Sequence, residues 1–133
     1  MKLIINTDGG ARGNPGPAGI GVVIRGESGQ ILARHNQYIG KTTNNVAEYR
    51  ALILALAEAG KLNADELLVN MDSELIVRQM TGQYKIKEPT LQALAAEVLK
   101  LRRQFKNVAF RHVPREQNKD ADLLVNQAID AAG

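Results

Sequence analysis

The period of apolar positions changes several times along the chain, and each change marks an element. Residues 2–8, KLIINTD, predict a strand, a short apolar run closing on an acidic residue. Ile20–Gly26 (IGVVIRG) and Ile31–Gly40 (ILARHNQYIG) predict two more, and the Ser-Gly pair in the intervening ESGQ predicts a hairpin turn. Residues 44–59, NNVAEYRALILALAEA, are rich in Ala and Leu and free of Gly and Pro. They predict a helix capped by Thr43 or Asn44 and ended by Gly60. Glu66–Asp72 (ELLVNMD) predicts a strand, and SELIVRQMTG a short helix capped by Ser73 and stopped at Gly82. Residues 91–105 set Leu91, Leu94, Ala95, Val98, Leu101 and Phe105 on one helical stripe, with Thr90 as its cap. Val108–Pro114 (VAFRHVP) predicts the last strand, and Asn118 or Asp120 opens a final helix ending near residue 131.

The resulting order, βββαβααβα, is an α/β pattern. The first three strands predict an antiparallel meander. The later two alternate with helices, which favours parallel pairing through right-handed crossovers. The expected architecture is a mixed five-stranded sheet flanked by helices, built as one domain over residues 1–133.

Composition narrows the chemistry. The chain is 44% hydrophobic but has only three Tyr, two Phe and no Trp, so its core must be built from Leu, Ile, Val and Ala. Cysteine is absent, which excludes disulfides, thiolate metal sites and thiol nucleophiles. No apolar run approaches the roughly 20 residues that span a bilayer, and the run after Lys2 is too short for a signal peptide. No membrane association and a cytoplasmic location are expected. The net charge of +3 is compatible with a polyanionic partner.

Four carboxylates stand out. Asp8 and Asp72 each close an apolar strand, and ligands of open α/β sheets gather beyond the carboxyl ends of parallel strands. Glu48 has Ala51, Leu52 and Ala55 at i+3, i+4 and i+7. It therefore shares a stripe expected to face the sheet, where an ionised group is costly unless paired or metal-bound. Asp122 opens the last helix, with Val125 and Ile129 downstream. Each has a plainer alternative: turn chemistry for Asp8 and Asp72, a snorkelling surface position for Glu48, a helix-dipole position for Asp122. Gathered in one place, the four would repel each other unless cations held them, and an oxygen-only donor set suits Mg²⁺ or Mn²⁺. After Asp8, the stretch GGARGNPGPAG predicts a permissive loop whose backbone turns sharply or comes close to something large.

The segments TDGGARGNPGPAGIG, TTNNVAEYRAL, VNMDSELIVRQM and HVPREQNKDAD resemble the four sequence blocks of type 1 ribonuclease H, in that family's order and spacing and over nearly the whole chain. The resemblance implies the mixed sheet argued above. It implies endonucleolytic hydrolysis of the RNA strand of RNA–DNA hybrids, giving 5′-phosphate and 3′-hydroxyl ends. It implies two divalent cations per active site, held by Asp8, Glu48, Asp72 and Asp122, with Asp8 bridging and Asp122 on the side of the attacking water. Gly9, Gly10, Asn14, Thr43, Asn44, Asn45 and Ser73 match substrate-binding positions. Asn14 matches a contact to the nucleic-acid backbone, and Asn44 and Asn45 match the pair reaching the minor groove. The plainer alternatives are a helix cap for Asn44 and a turn for Asn14-Pro15-Gly16. The implied partner is an RNA–DNA hybrid, with double-stranded RNA as a second candidate, and the implied state is a monomer.

The chain departs from the family pattern in three places. His112 stands ten residues before Asp122, as the family's auxiliary histidine does, but the short PREQN segment puts it inside the last strand. Arg115 then takes the loop position and is the favoured auxiliary catalytic residue. A guanidinium cannot act as a base but can hold a phosphate. Glu74 follows Ser73 where many members carry glutamine. The basic, Trp-bearing handle between the middle helices is replaced by TGQYKIKEP, leaving Lys85 and Lys87, so substrate grip should be weaker and more dependent on salt. Three rival functions remain. The first is a catalytically silent nucleic-acid binder, although no acidic position is lost. The second is a nucleotide-phosphate cradle, although no Lys-Ser/Thr follows the glycines and the next element is a strand. The third is a resolvase, transposase or exonuclease on the same architecture.

Overall fold

The computed structural model describes residues 1–133. Its elements follow the expected order: β1 (Lys2–Ala11), β2 (Gly16–Gly26), β3 (Ile31–Thr42), α1 (Asn44–Lys61), β4 (Glu66–Met71), α2 (Glu74–Met80), α3 (Pro89–Arg102), β5 (Asn107–His112) and α4 (Lys119–Ala132), with a short 3₁₀ turn at Arg115–Gln117 before α4. The sheet order is β3-β2-β1-β4-β5. β1 pairs antiparallel with β2 and β2 with β3, while β1–β4 and β4–β5 are parallel. No helix is long and apolar enough to cross a membrane.

Alternation along β1 and β4 gives the sheet two unlike faces. Leu3, Ile5, Leu67, Val69 and Met71 join Tyr49, Leu52 and Leu56 of α1 and Leu91 and Val98 of α3 in the main apolar core. The opposite face is covered by α4 alone, which packs on β1, β2 and β3. There Asn6 and Asn70 are buried side by side on paired strands. α4 comes close because β2 presents glycine: a Cβ on Gly21 would lie 2.5 Å from the Ala121 carbonyl oxygen, and one on Gly19 2.9 Å from that of Val125.

Several boundaries differ from expectation, β2 starting at Gly16 and not Ile20 among them. β1 does not stop at Asp8 but continues through Gly9, Gly10 and Ala11, which pair with Ile20, Gly19 and Ala18. The expected glycine loop shrinks to residues 12–15, because Gly9 and Gly10 retain their ladder partners despite lacking side chains. Thr90 does not cap α3; the helix starts at Pro89, whose fixed φ and missing N–H suit a first helical position. α3 also ends at Arg102, so Phe105 is buried from the following turn rather than from the helix. Elsewhere the expected caps form: Thr43 Oγ1 accepts from Val46 N–H, and Ser73 Oγ accepts from Ile76 N–H, both at 3.3 Å. Asn118 occupies the N-cap position of α4, but its side chain makes no capping bond there.

Candidate active site

Register alone brings the first two carboxylates together. Thr7 on β1 is paired with Met71 on β4, so Asp8 and Asp72, one residue further along each parallel strand, leave the sheet level with each other. The third comes from α1, and its approach depends on Gly9. A Cβ on Gly9 would sit 2.3 Å from the Ala47 carbonyl and 2.5 Å from the Glu48 nitrogen; with hydrogen there instead, the first turn of α1 rests directly on β1. The Gly9 N–H then donates to Glu48 Oε1 at 2.6 Å. Gly9 thus spends its amide on a carboxylate of the site, and its bareness seats a helix.

Asp8, Glu48 and Asp72 each offer an oxygen within 4.8 Å of the others'. Asp8 is 8% exposed and Glu48 6%. Burial, then the nearby charges of Glu48 and Asp72, push the Asp8 carboxyl far above the usual carboxylate range. Burial also raises Glu48, against the opposing pull of the Gly9 N–H. Glu48 Oε2 is buried without any hydrogen-bond partner. An orphaned anionic oxygen inside a triangle of carboxylates is costly by itself and fits a hard divalent cation with oxygen ligands. The donor set is compatible with divalent metal binding.

Asp122 lies on the wall of the same cleft, about 490 Å³ in volume, but outside the close triad. Its Oδ1 is 3.9 Å from Nη2 of Arg115, and Arg115 is largely exposed. Asp122 is positioned through Asn118. That side chain, 1% exposed, accepts from Asn6 Nδ2 at 3.0 Å and donates to the Thr7 carbonyl at 2.9 Å. Arg25 on β2 pairs with Asp120 in the first turn of α4. The first turn of α4 is thereby tied to the sheet beside Asp8.

The remaining candidates divide. Gly10, Asn44, Asn45, Ser73 and Arg115 line the cleft. Asn14, Thr43 and His112 do not; Thr43 caps α1, and His112 is the exposed last residue of β5, paired with Met71. Asn14 and Asn44 form a latch. Asn14 Oδ1 accepts the Asn44 N–H at 3.0 Å, and Asn44 Oδ1 accepts the Ala11 N–H at 2.8 Å. Both side-chain carbonyls are occupied, and Asn44 lines the cleft. Glu74 is paired with Arg78 at 2.9 Å, so its charge is partly neutralised along α2. Sequence patterns missed Arg12, Asn118 and Asn126. The only signal for Asn126 is its i+4 spacing from Asp122 on the α4 face.

A family model described as reverse transcriptase-like matches residues 6–128. A ribonuclease HI of Halobacterium salinarum is 41% identical over 125 residues, covering 94% of this chain and 63% of its own length. The chain belongs to the type 1 ribonuclease H family. Solved ribonuclease H structures superpose closely. The N-terminal RNase H domain of a Mycobacterium tuberculosis protein does so with a TM-score of 0.94 at 48% identity, over 97% of this chain and 99% of that one. LC11-RNase H1, solved with an RNA/DNA hybrid, gives 0.92 at 57% identity over 98% of both chains. The bifunctional M. tuberculosis protein is 50% identical over 133 residues, and this chain spans 36% of its length.

Proposed function

We propose that residues 1–133 form a ribonuclease H domain, a divalent-metal-dependent endonuclease that hydrolyses the RNA strand of RNA–DNA hybrids to 5′-phosphate and 3′-hydroxyl ends. One observation carries this assignment: three carboxylates from β1, α1 and β4 crowd within 4.8 Å of one another, two of them buried and one with an orphaned oxygen. Two bound divalent cations, Mg²⁺ or Mn²⁺, would supply charge neutralisation at the scissile phosphate and activation of the attacking water. Asp8, Glu48 and Asp72 would hold the cations, with Asp8 shared between them, and Asp122 would join from the side of the attacking water. Arg115 holds a non-bridging phosphate oxygen beside Asp122, a role open to a permanently charged fork. The side-chain amide N–H groups of Asn44 and Asn45 donate to sugars and base edges in the minor groove. An RNA strand is recognised there by its 2′-hydroxyls in a wide, shallow groove, and phosphate and sugar contacts suffice for a nuclease without sequence preference. The enzyme acts as a cytoplasmic monomer, and double-stranded RNA is the second candidate substrate.

The test is incubation with end-labelled RNA–DNA hybrid, double-stranded RNA and double-stranded DNA, with Mg²⁺, with Mn²⁺ and with EDTA, followed by analysis of the product ends. Cleavage of the hybrid's RNA strand only in the presence of a divalent cation is expected. An intact hybrid in both metals, or full cleavage by Asp8→Asn, would overturn the assignment.

A further inference from the structure

The cleft wall is acidic, and only two residues bring positive charge to it: Arg115 and Arg12. Arg115 stands beside Asp122. Arg12 stands at the opposite end of the same helix face, where α4 presents Asp122, Asn126 and Asp130 at i, i+4 and i+8. Its Nη2 donates to Asn126 Oδ1 at 3.2 Å, and its Nη1 pairs with Asp130 Oδ1 at 2.6 Å. Those partners lie about 6 and 12 Å along the helix from Asp122, a few nucleotide rises of about 3.4 Å each.

We propose that Arg12 is a second phosphate clamp, binding the backbone of the hybrid a few nucleotides from the carboxylates. This rests on the ribonuclease H function proposed above and adds a contact to that site. The backbone at Arg12 is fixed: its N–H donates to the Pro17 carbonyl at 2.8 Å, and the neighbouring Ala11 N–H is held by Asn44. Its side chain is 46% exposed and its partner Asp130 67%. A pair so exposed is weak and readily exchanged, whereas a guanidinium fork meets a phosphate with two charge-assisted bonds. The Asp130 carboxylate keeps the fork at the cleft rim, aimed by a rigid turn, and yields it to a stronger anion. Asn126 continues the support, since its Nδ2 donates to the Asp122 carbonyl at 3.1 Å.

Two variants separate a clamp from a merely structural latch. Arg12→Ala removes both the pair and the cation; Asp130→Asn removes the pair and leaves the cation. Binding of a fluorescent RNA–DNA hybrid to the full chain is followed by anisotropy in EDTA across a salt series, and cleavage kinetics are followed in Mg²⁺. Arg12→Ala is expected to weaken binding about tenfold. It should reduce the slope of log K against log salt by about 0.7–0.9 and raise KM with little change in kcat. Asp130→Asn is expected to bind as tightly as the unaltered chain or more tightly, with its salt slope intact. Equal affinity and slope for Arg12→Ala, or the same loss in both variants, would overturn the clamp. No hybrid binding or cleavage by the unaltered chain would instead overturn the proposed function, and the clamp with it.

Discussion

Replacing Asp8 with Asn should make the metal-free protein more stable while abolishing its activity. The Asp8 oxygen lies within 4.8 Å of one from Glu48. Two unit charges at that distance repel by about 3 kcal/mol at an effective dielectric of about 20. Proton uptake limits the cost. At pH 8 a carboxyl held protonated by the fold, with an unfolded value near 4, costs at most about 1.4 kcal/mol per pH unit over that interval, or about 5 kcal/mol. The smaller figure is the expected gain, about 3 kcal/mol, or roughly 10 °C in Tm for a chain of this length. The sign with pH follows from Asp8 and Glu48 both being raised in the folded state. Below about pH 4 both states hold these protons and the penalty vanishes; as pH rises above that, the unfolded chain releases them first and stability falls until the folded values are passed. Thermal unfolding in EDTA from pH 4 to 9 should show this decline in the unaltered chain and a flatter profile in Asp8→Asn. Mg²⁺ at 100 times its dissociation constant should restore about 2.7 kcal/mol to the unaltered chain and much less to the variant. An Asp8→Asn protein less stable than the parent at pH 8 in EDTA, or one with an equally steep decline, would refute the picture of carboxylates crowded against their own repulsion.

Other outcomes follow from single contacts. Gly21→Ala sets a methyl 2.5 Å from the Ala121 carbonyl and 2.8 Å from Leu124 Cβ; it should cost about 3 kcal/mol in urea unfolding by prising α4 off β2, and lower kcat because Asp122 moves with the helix. Arg115→Ala should lower kcat about tenfold or more, as loss of a charge-assisted phosphate contact does, whereas His112→Ala should stay within about twofold; the reverse ranking in steady-state assays would return the auxiliary role to His112. Asn118→Ala removes the side-chain donor to the Thr7 carbonyl and one of two acceptors of the Asn6 amide in a buried setting and should cost about 2 kcal/mol, with faster amide exchange in the first turn of α4 as the direct readout.

Most of the fold was legible because its signals are local. The Ala/Leu run of α1, the strand alternation of β1 and β4 and the caps at Thr43 and Ser73 depend on neighbours within a few residues. The misplaced boundaries were those where local chemistry points the wrong way. Two glycines after Asp8 resemble a loop, but both stay in register with β2. Thr90 resembles a cap, but Pro89 beside it already has the right φ. The proximity of Asp8, Glu48 and Asp72 was legible for a different reason. Acidic residues that close apolar runs or interrupt an apolar helix stripe carry a desolvation cost, and three of them in one chain, Asp8, Glu48 and Asp72, point to a shared cation that offsets it.

By itself, then, the order of residues determined which elements form, which strand ends carry acid, and that no thiolate could hold a metal. It could not determine which of those acids meet. That Glu48 is pulled to the Gly9 amide, that Asp122 stands apart from the other three, and that Arg12 bridges to Asn126 and Asp130 are contacts between residues tens of positions apart. Such pairs leave no periodic trace in the chain. They exist only because sheet register and the close approach of α1 and α4 over bare glycines bring them within reach.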